Sequence, residues 1–142
     1  MDGTAYSRPV EDLPTWARDL LDRARVARLA LLDEEDLPRV LPVTFALWEG
    51  AIWSAIDKKP KRAAEPARVR RLRRRPDAAL LVDRYDEDWS RLAWVEVRGP
   101  VSVEPLGPAL DALAEKYPQY GSDRPPGPLL RLAPQRFACW KA

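Results

Sequence analysis

Three β-type segments follow one another between residues 26 and 56 with almost nothing between them. Val26-Ala27-Arg28-Leu29-Ala30-Leu31-Leu32 is nearly continuous in apolar content and ends at the polar turn Asp33-Glu34-Glu35-Asp36. A second segment, Arg39 to Trp48, meets Glu49-Gly50, and a third, Ala51 to Ile56, follows at once. In the third, Ile52, Ser54 and Ile56 share one face, and Trp53 and Ala55 the other. Parallel neighbours need a crossover of about a dozen residues or more, and none fits here. The sheet is therefore expected to be antiparallel, with the last two segments forming a hairpin. Pro42 cannot donate to a ladder, so its segment belongs at an edge, a bulge or a missing bond.

Three more strands are expected. They are Ala78 to Tyr85, a long stretch from Leu92 to Val103 broken or bulged at Gly99-Pro100, and Leu129 to Trp140 interrupted at Pro134. In the long stretch Trp94, Glu96 and Arg98 oppose Val95 and Val97. Val10, Leu13, Trp16, Ala17, Leu20, Leu21 and Ala24 recur at helical spacing and predict a helix over 10–24. Pro66 and Pro76 bracket a second helix with Val69 and Leu72 as its apolar stripe. Leu106 to Tyr117 is the third, and 118–128 is a Pro/Gly-rich loop. Residues 1–9 are expected to be a tail and 10–142 a single domain. The fold class is mainly β (α+β): six antiparallel strands in a small barrel or sandwich with flanking helices.

The 142 residues contain no histidine and one cysteine, Cys139. A His-containing triad, an imidazole base and a structural zinc site are thereby excluded, and no metal site is expected. An enzyme built this way leaves its hard chemistry to an organic cofactor. No Gly-rich dinucleotide fingerprint or GxxxxGK[ST] loop is present. No apolar run reaches the roughly 20 residues of a membrane span, and Met1 to Pro9 has no secretory pattern, so a cytoplasmic location without membrane partners is expected.

The net charge of +2 hides an asymmetry. Ten basic residues and one acid, Glu65, lie between Lys58 and Arg75, while the rest of the chain carries 14 basic and 21 acidic residues. Such a patch attracts phosphates, of a nucleotide-like cofactor or of nucleic acid, or else is a solvated helix face. Lys59 and Lys61 point the same way in an extended segment, with Pro60 restricting the backbone between them. The acids Asp83, Asp86, Glu87 and Asp88 lack the spacing of a calcium loop, and are expected to form a solvated loop paired with the Arg-rich helix. Trp16 is expected in the core, and Trp48 and Trp53 to pack across the hairpin. Trp89, in the acidic loop, is a candidate to cover a neighbouring subunit's ligand. Tyr85 is a candidate proton donor or a strand cap.

Several segments together resemble a known family. They are Ala24 to Ala30, Leu41 to Leu47, Asp57-Lys58-Lys59-Pro60-Lys61-Arg62, Leu81 to Leu92 with its Asp-Glu-Asp-Trp-Ser-Arg-Leu run, and Lys116-Tyr117-Pro118-Gln119-Tyr120. Over roughly 10–140 the chain is similar to the split β-barrel flavoproteins typified by pyridoxamine 5′-phosphate oxidase. Within them it resembles an actinobacterial branch of oxidoreductases that use the deazaflavin coenzyme F420. The resemblance implies an FMN-binding type of split barrel and a homodimer with cofactors in clefts between subunits. The cofactor would be coenzyme F420, with FMN as alternative; haem is also used in the superfamily. It implies that Lys59 and Lys61, with Arg62, hold the phosphate. Val43, Thr44 and Phe45 would lie along the tricyclic ring, with Ser54, Ala55 and Ile56 near the ring and its linker.

Two departures stand out: Ala63-Ala64 follows Arg62 where relatives often have Thr, and Ala93-Trp94 stands where relatives often have paired tryptophans. The expected function is hydride transfer between F420 and an electron-poor, small planar substrate, with no side chain assigned as catalytic. The alternatives are an FMN-dependent oxidase or reductase, a cofactor carrier without turnover, and a nucleic-acid-binding module using Arg68 to Arg75. Against the last stands the lack of basic residues elsewhere and of an aromatic platform in that stretch.

Overall fold

A computed structural model describes residues 8–57 and 65–142. The strands are β1 (Arg8–Pro9), β2 (Ala27–Leu32), β3 (Pro38–Val43), β4 (Ala46–Trp48), β5 (Ala51–Ala55), β6 (Asp77–Arg84), β7 (Ala93–Glu104), β8 (Leu129–Leu132) and β9 (Arg136–Lys141). The helices are α1 (Thr15–Arg23), α2 (Ala67–Arg74), α3 (Ala109–Lys116) and α4 (Gln119–Ser122). Every strand pair is antiparallel. The order β3-β2-β6-β7-β8-β5-β4, with β9 also on β7 and β1 on β9, is that of a split barrel flanked by helices.

The nine strands found among the described residues exceed the six expected for three local reasons. Arg39 to Trp48 is two strands, because the chain leaves the ladder at Thr44-Phe45. Leu129 to Trp140 is also two, broken at Ala133-Pro134-Gln135. Arg8 and Pro9 add a two-residue ladder against Phe137 and Arg136. The helix expected over 10–24 begins only at Thr15, after a 3-10 turn at Val10–Asp12 and Pro14 as its cap residue. The segment 118–128 is not wholly loop, since α4 occupies part of it.

β7 holds the two halves together. Its first part, Ala93 to Arg98, pairs with β9, and its last, Val101 to Glu104, with β8. Between these ladders three residues, 133–135, oppose two, Gly99 and Pro100, which is a bulge. The partner backbone passes so close that a Cβ on Gly99 would lie 1.9 Å from the Ala133 carbonyl oxygen. Only glycine fits there. At the other end of the fold, Glu49 (φ 52) and Gly50 (φ 74) both take the left-handed conformation that a two-residue hairpin between β4 and β5 demands.

The main core fills the barrel with Leu29, Leu31, Phe45, Leu80, Val82, Val95 and Val97, closed by Ala17 and Leu21 of α1 and by Val69 and Leu72 of α2. A smaller core packs Leu110, Leu113 and Tyr117 of the α3 region onto Ala46, Ala55 and Leu129. Trp16 packs against the main core. Trp48 and Trp53 meet edge-on at 5.9 Å, and the Trp53 indole N–H donates to the Trp48 carbonyl.

The Arg-rich helix does not pair with the acidic loop, contrary to the sequence expectation. Its neighbours are the β2–β3 turn and Glu65: Arg71 binds Glu34, Arg74 and Arg75 share Asp36, and Arg73 binds Glu65. That turn is itself tied by Asp33, whose carboxylate accepts from the Glu35 and Leu37 amides and is held below the usual carboxylate range by those bonds. The acidic loop closes on itself. Asp86 accepts from the Asp88 amide and from Arg91, and Asp88 accepts from the Ser90 amide and hydroxyl. Among the described residues no group of acidic side chains and cysteine could hold a metal ion, and no helix is long and apolar enough to cross a membrane.

Candidate functional site

Among the described residues β1 forms an edge beyond β9, and the path β3-β2-β6-β7-β8-β5-β4 ends in β3 and β4, which are consecutive in the chain. Two residues, Thr44 and Phe45, cross from one to the other, so the split in the barrel is at this point. Backbone that leaves a ladder needs other partners. Tyr117, at the end of α3, supplies them. Its hydroxyl accepts from the Phe45 amide (3.1 Å) and sits within donating distance of the Phe45 carbonyl (3.1 Å) and the Arg25 carbonyl (2.9 Å). Ser54 of β5, almost fully buried, donates to the Thr44 carbonyl at 2.6 Å. The crossing is thus fixed from both sides, with the Phe45 ring fully buried and the half-exposed Thr44 side chain turned outward.

A cleft of about 330 Å³ opens there, lined by Thr44, Asp57, Tyr117, Gln119, Tyr120 and the 123–125 segment. Tyr120 of α4 stands in it, its hydroxyl 2.9 Å from Thr44 Oγ1 and donating to Asp57 Oδ1 at 2.8 Å. Burial pushes the Tyr120 hydroxyl pKa up, opposed by the Thr44 hydrogen bond, and burial likewise raises that of Tyr117. The two tyrosine rings meet edge to face at 5.9 Å. Arg25 lies over the Tyr117 ring (4.7 Å) and donates to the Lys116 carbonyl. The Lys116 ammonium is 3.8 Å from the centre of the Phe45 ring, is shielded from solvent, and has no hydrogen-bond partner among the described residues. Desolvation lowers its pKa to about 8, against the attraction of Asp22 and with the repulsion of Arg25.

A larger cleft of about 400 Å³ lies between α1 and the β4–β5 turn, with Leu13, Leu21, Leu47 and Ile52 on its floor. No hydrogen-bonded set of side chains converges on it among the described residues. Chemistry needs a few placed polar groups in a concave site, and these occur at the Thr44 cleft.

Each expected site residue has a definite place or lies outside the description. Thr44 lines the cleft. Val43, Phe45, Ala55 and Ile56 are buried, so they can shape the wall and offer backbone groups but not exposed side chains. Ser54 positions Thr44. Lys59, Lys61 and Arg62 lie outside the described residues. Trp89 is 67% exposed, away from the cleft lining, with its indole N–H 3.4 Å from the equally exposed Tyr85 hydroxyl. Tyr117, Tyr120 and Asp57 were not singled out by sequence reasoning as site residues. Their signal was present, since Asp57 opens one of the family-like segments and the tyrosines sit in another, but nothing local in those segments announces a contact with Thr44 some 76 residues away.

The site's chemistry suits a planar heterocycle. Two aromatic side chains flank the cleft, a hydroxyl faces it, and the cleft volume falls in the range of small-molecule sites, about 300–1,000 Å³. No curated protein matches the chain. Among solved structures, it is similar to the conserved hypothetical protein Rv2991 from Mycobacterium tuberculosis, with TM-score 0.74 and 18% identity over 99% of this chain and 89% of that one. It is also similar to a protein described as an F420 reductase, with TM-score 0.64 and 22% identity over 87% and 97%. A third is an FAD-binding protein from Mesorhizobium loti, with TM-score 0.67 and 16% identity over 96% and 98%. At these identities the likeness is one of fold. The family model for pyridoxamine 5′-phosphate oxidase matches residues 13–141, nearly the whole chain, and the protein belongs to that family.

Proposed function

We propose that the protein is an oxidoreductase that uses the deazaflavin coenzyme F420, with the ring edge of the cofactor at Thr44. The observation that carries this reading is the cleft at the split in the barrel, where a hydroxyl, two tyrosines and a fixed strand crossing converge. The absence of histidine agrees with chemistry supplied by a bound organic group. That group, when bound, supplies the hydride. The chain's own task is to bind, to orient the ring and to exclude water. Tyr117 and Ser54 hold the Thr44-Phe45 backbone against movement. Lys59 and Lys61, with Arg62, would hold the phosphate just after β5 and Asp57. Among the described residues Arg68 of α2 makes no ion pair, unlike Arg71, Arg73, Arg74 and Arg75, and stays available for an acidic cofactor tail.

The cleft is open on one side, and a second subunit completes it in this reading. The outward face of β3, β2, β6, β7 and β9 supports a homodimer. It carries the exposed Val40 (66%) and Leu81 and the half-buried Trp94 and Trp140, interspersed with Arg28, Glu96 and Arg98. Exposed apolar surface of this kind marks an interface. Trp89 and Tyr85, exposed beside that face, would reach the partner's cofactor. FMN is the second reading, favoured by the family match itself.

The test is turnover. Reduced F420 is mixed with the protein and a panel of activated alkenes and quinones, and cofactor oxidation is followed by absorbance. Protein-dependent oxidation that needs the electron-poor acceptor supports the proposal. Oxidation no faster than in buffer for every acceptor overturns it.

A further inference from the structure

The hydrogen bonds in the cleft have a direction, and it is set by Asp57. A carboxylate only accepts, so the single proton of the Tyr120 hydroxyl is committed to Asp57. The 2.9 Å contact between Tyr120 and Thr44 must then be made by the Thr44 proton. Thr44 Oγ1 is left with lone pairs and no proton for anything else in the cleft. Ser54 takes the Thr44 carbonyl, and Tyr117 takes the Phe45 amide, so these two backbone groups are already engaged.

From this, and resting on the cofactor reading above, we infer that Asp57, acting through Tyr120, locks Thr44 as a hydrogen-bond acceptor, so that the site selects a planar ring presenting an imide N–H at that edge. Thr44 is the contacting residue, while Tyr120 and Asp57 are positioning residues. A ring with a carbonyl or an alkylated nitrogen at the same place would face an acceptor with nothing to give. A hydroxyl free to rotate would serve a donor or an acceptor equally. The locked chain turns it into a discriminating group, because a ligand that covers Thr44 Oγ1 without offering a donor takes that atom from water and leaves it unpaired.

The inference is tested by equilibrium binding, followed by fluorescence. The probes are 8-hydroxy-5-deazariboflavin and FMN, each beside its 3-methyl derivative, in which the imide proton is replaced. The wild-type protein should prefer the N–H form by about tenfold, the value of one hydrogen bond. In Asp57→Asn the amide can donate to Tyr120, the chain can reverse, and the preference should fall below about threefold. Tyr120→Phe, which frees the Thr44 rotor, should do the same. Circular dichroism confirms that the variants fold. Equal binding of each pair to the wild type overturns the lock while leaving the cofactor reading intact. A tenfold preference that persists in Asp57→Asn shows that the methyl group is excluded by its size, and overturns the lock as well. Failure of all four probes to bind overturns the cofactor reading, and the lock with it.

Discussion

Lys116 is a charge that the fold keeps out of water at a cost. Its ammonium lies against the Phe45 ring without a hydrogen-bond partner among the described residues, and burial brings its pKa from 10.5 to about 8. That gap corresponds to about 3 to 4 kcal/mol, at about 1.4 kcal/mol per pH unit. The residue as a whole is only partly buried, and solvent screening leaves about half, ~2 kcal/mol. Below pH 8 the lysine is charged in both the folded and unfolded states, and the cost is fully present. Between pH 8 and 10.5 the unfolded chain still binds the proton and the folded protein has released it. Stability contributed by this group therefore rises with pH through that window.

Lys116→Met keeps the stem and removes the charge. It should be more stable than the wild type by about 2 kcal/mol at pH 7, with the advantage fading towards pH 10. Urea unfolding followed by tryptophan fluorescence at several pH values measures both. Comparing the two proteins cancels the titration of tyrosines and other groups. A difference that stays constant between pH 7 and 10, or a Met variant less stable than the wild type at pH 7, would refute the reasoning.

Other predictions follow from single contacts. Gly99→Ala forces a Cβ into the Ala133 carbonyl and should cost about 3 kcal/mol, read as a lowered urea midpoint. Tyr117→Phe leaves the buried Phe45 amide without its acceptor and should cost about 2 kcal/mol, with a matching loss of cofactor affinity because the crossing is loosened. The double variant Lys59→Ala, Lys61→Ala should bind cofactor at least about tenfold more weakly with an unchanged unfolding midpoint, two charge-assisted contacts to phosphate being lost; unchanged affinity by fluorescence titration would remove these lysines from the site.

Much of the architecture was legible because short connections and alternation act locally. The segment lengths required antiparallel pairing, and every ladder is antiparallel. Pro42 pointed to an edge, a bulge or a missing bond, and β3 is at an end of the sheet order. Pro134 marked an interruption that proved to be the bulge dividing β8 from β9. The break at Thr44-Phe45 left no such mark, because both residues suit a strand and the reason for the break lies in Tyr117. The partners of the Arg-rich helix were misassigned for a similar reason. Ion pairs follow proximity in space, and α2 packs beside the β2–β3 turn, not the 83–88 loop. Thr44 was legible as a candidate through the family-like segment around it, and it lines the cleft. The Tyr120–Asp57 pair that orients it was not, since a long-range contact between a loop helix and a strand end has no periodic signature.

The central claim is that the cleft at the split in the barrel takes a deazaflavin. A fluorescence titration of the purified protein with coenzyme F420 beside FMN tests it most directly, with Thr44→Val carried in parallel. The account predicts micromolar binding of F420, weaker binding of FMN, and at least about tenfold loss of F420 affinity in the Val variant. Selective binding of FMN, or F420 binding that Thr44→Val leaves unchanged, would contradict it.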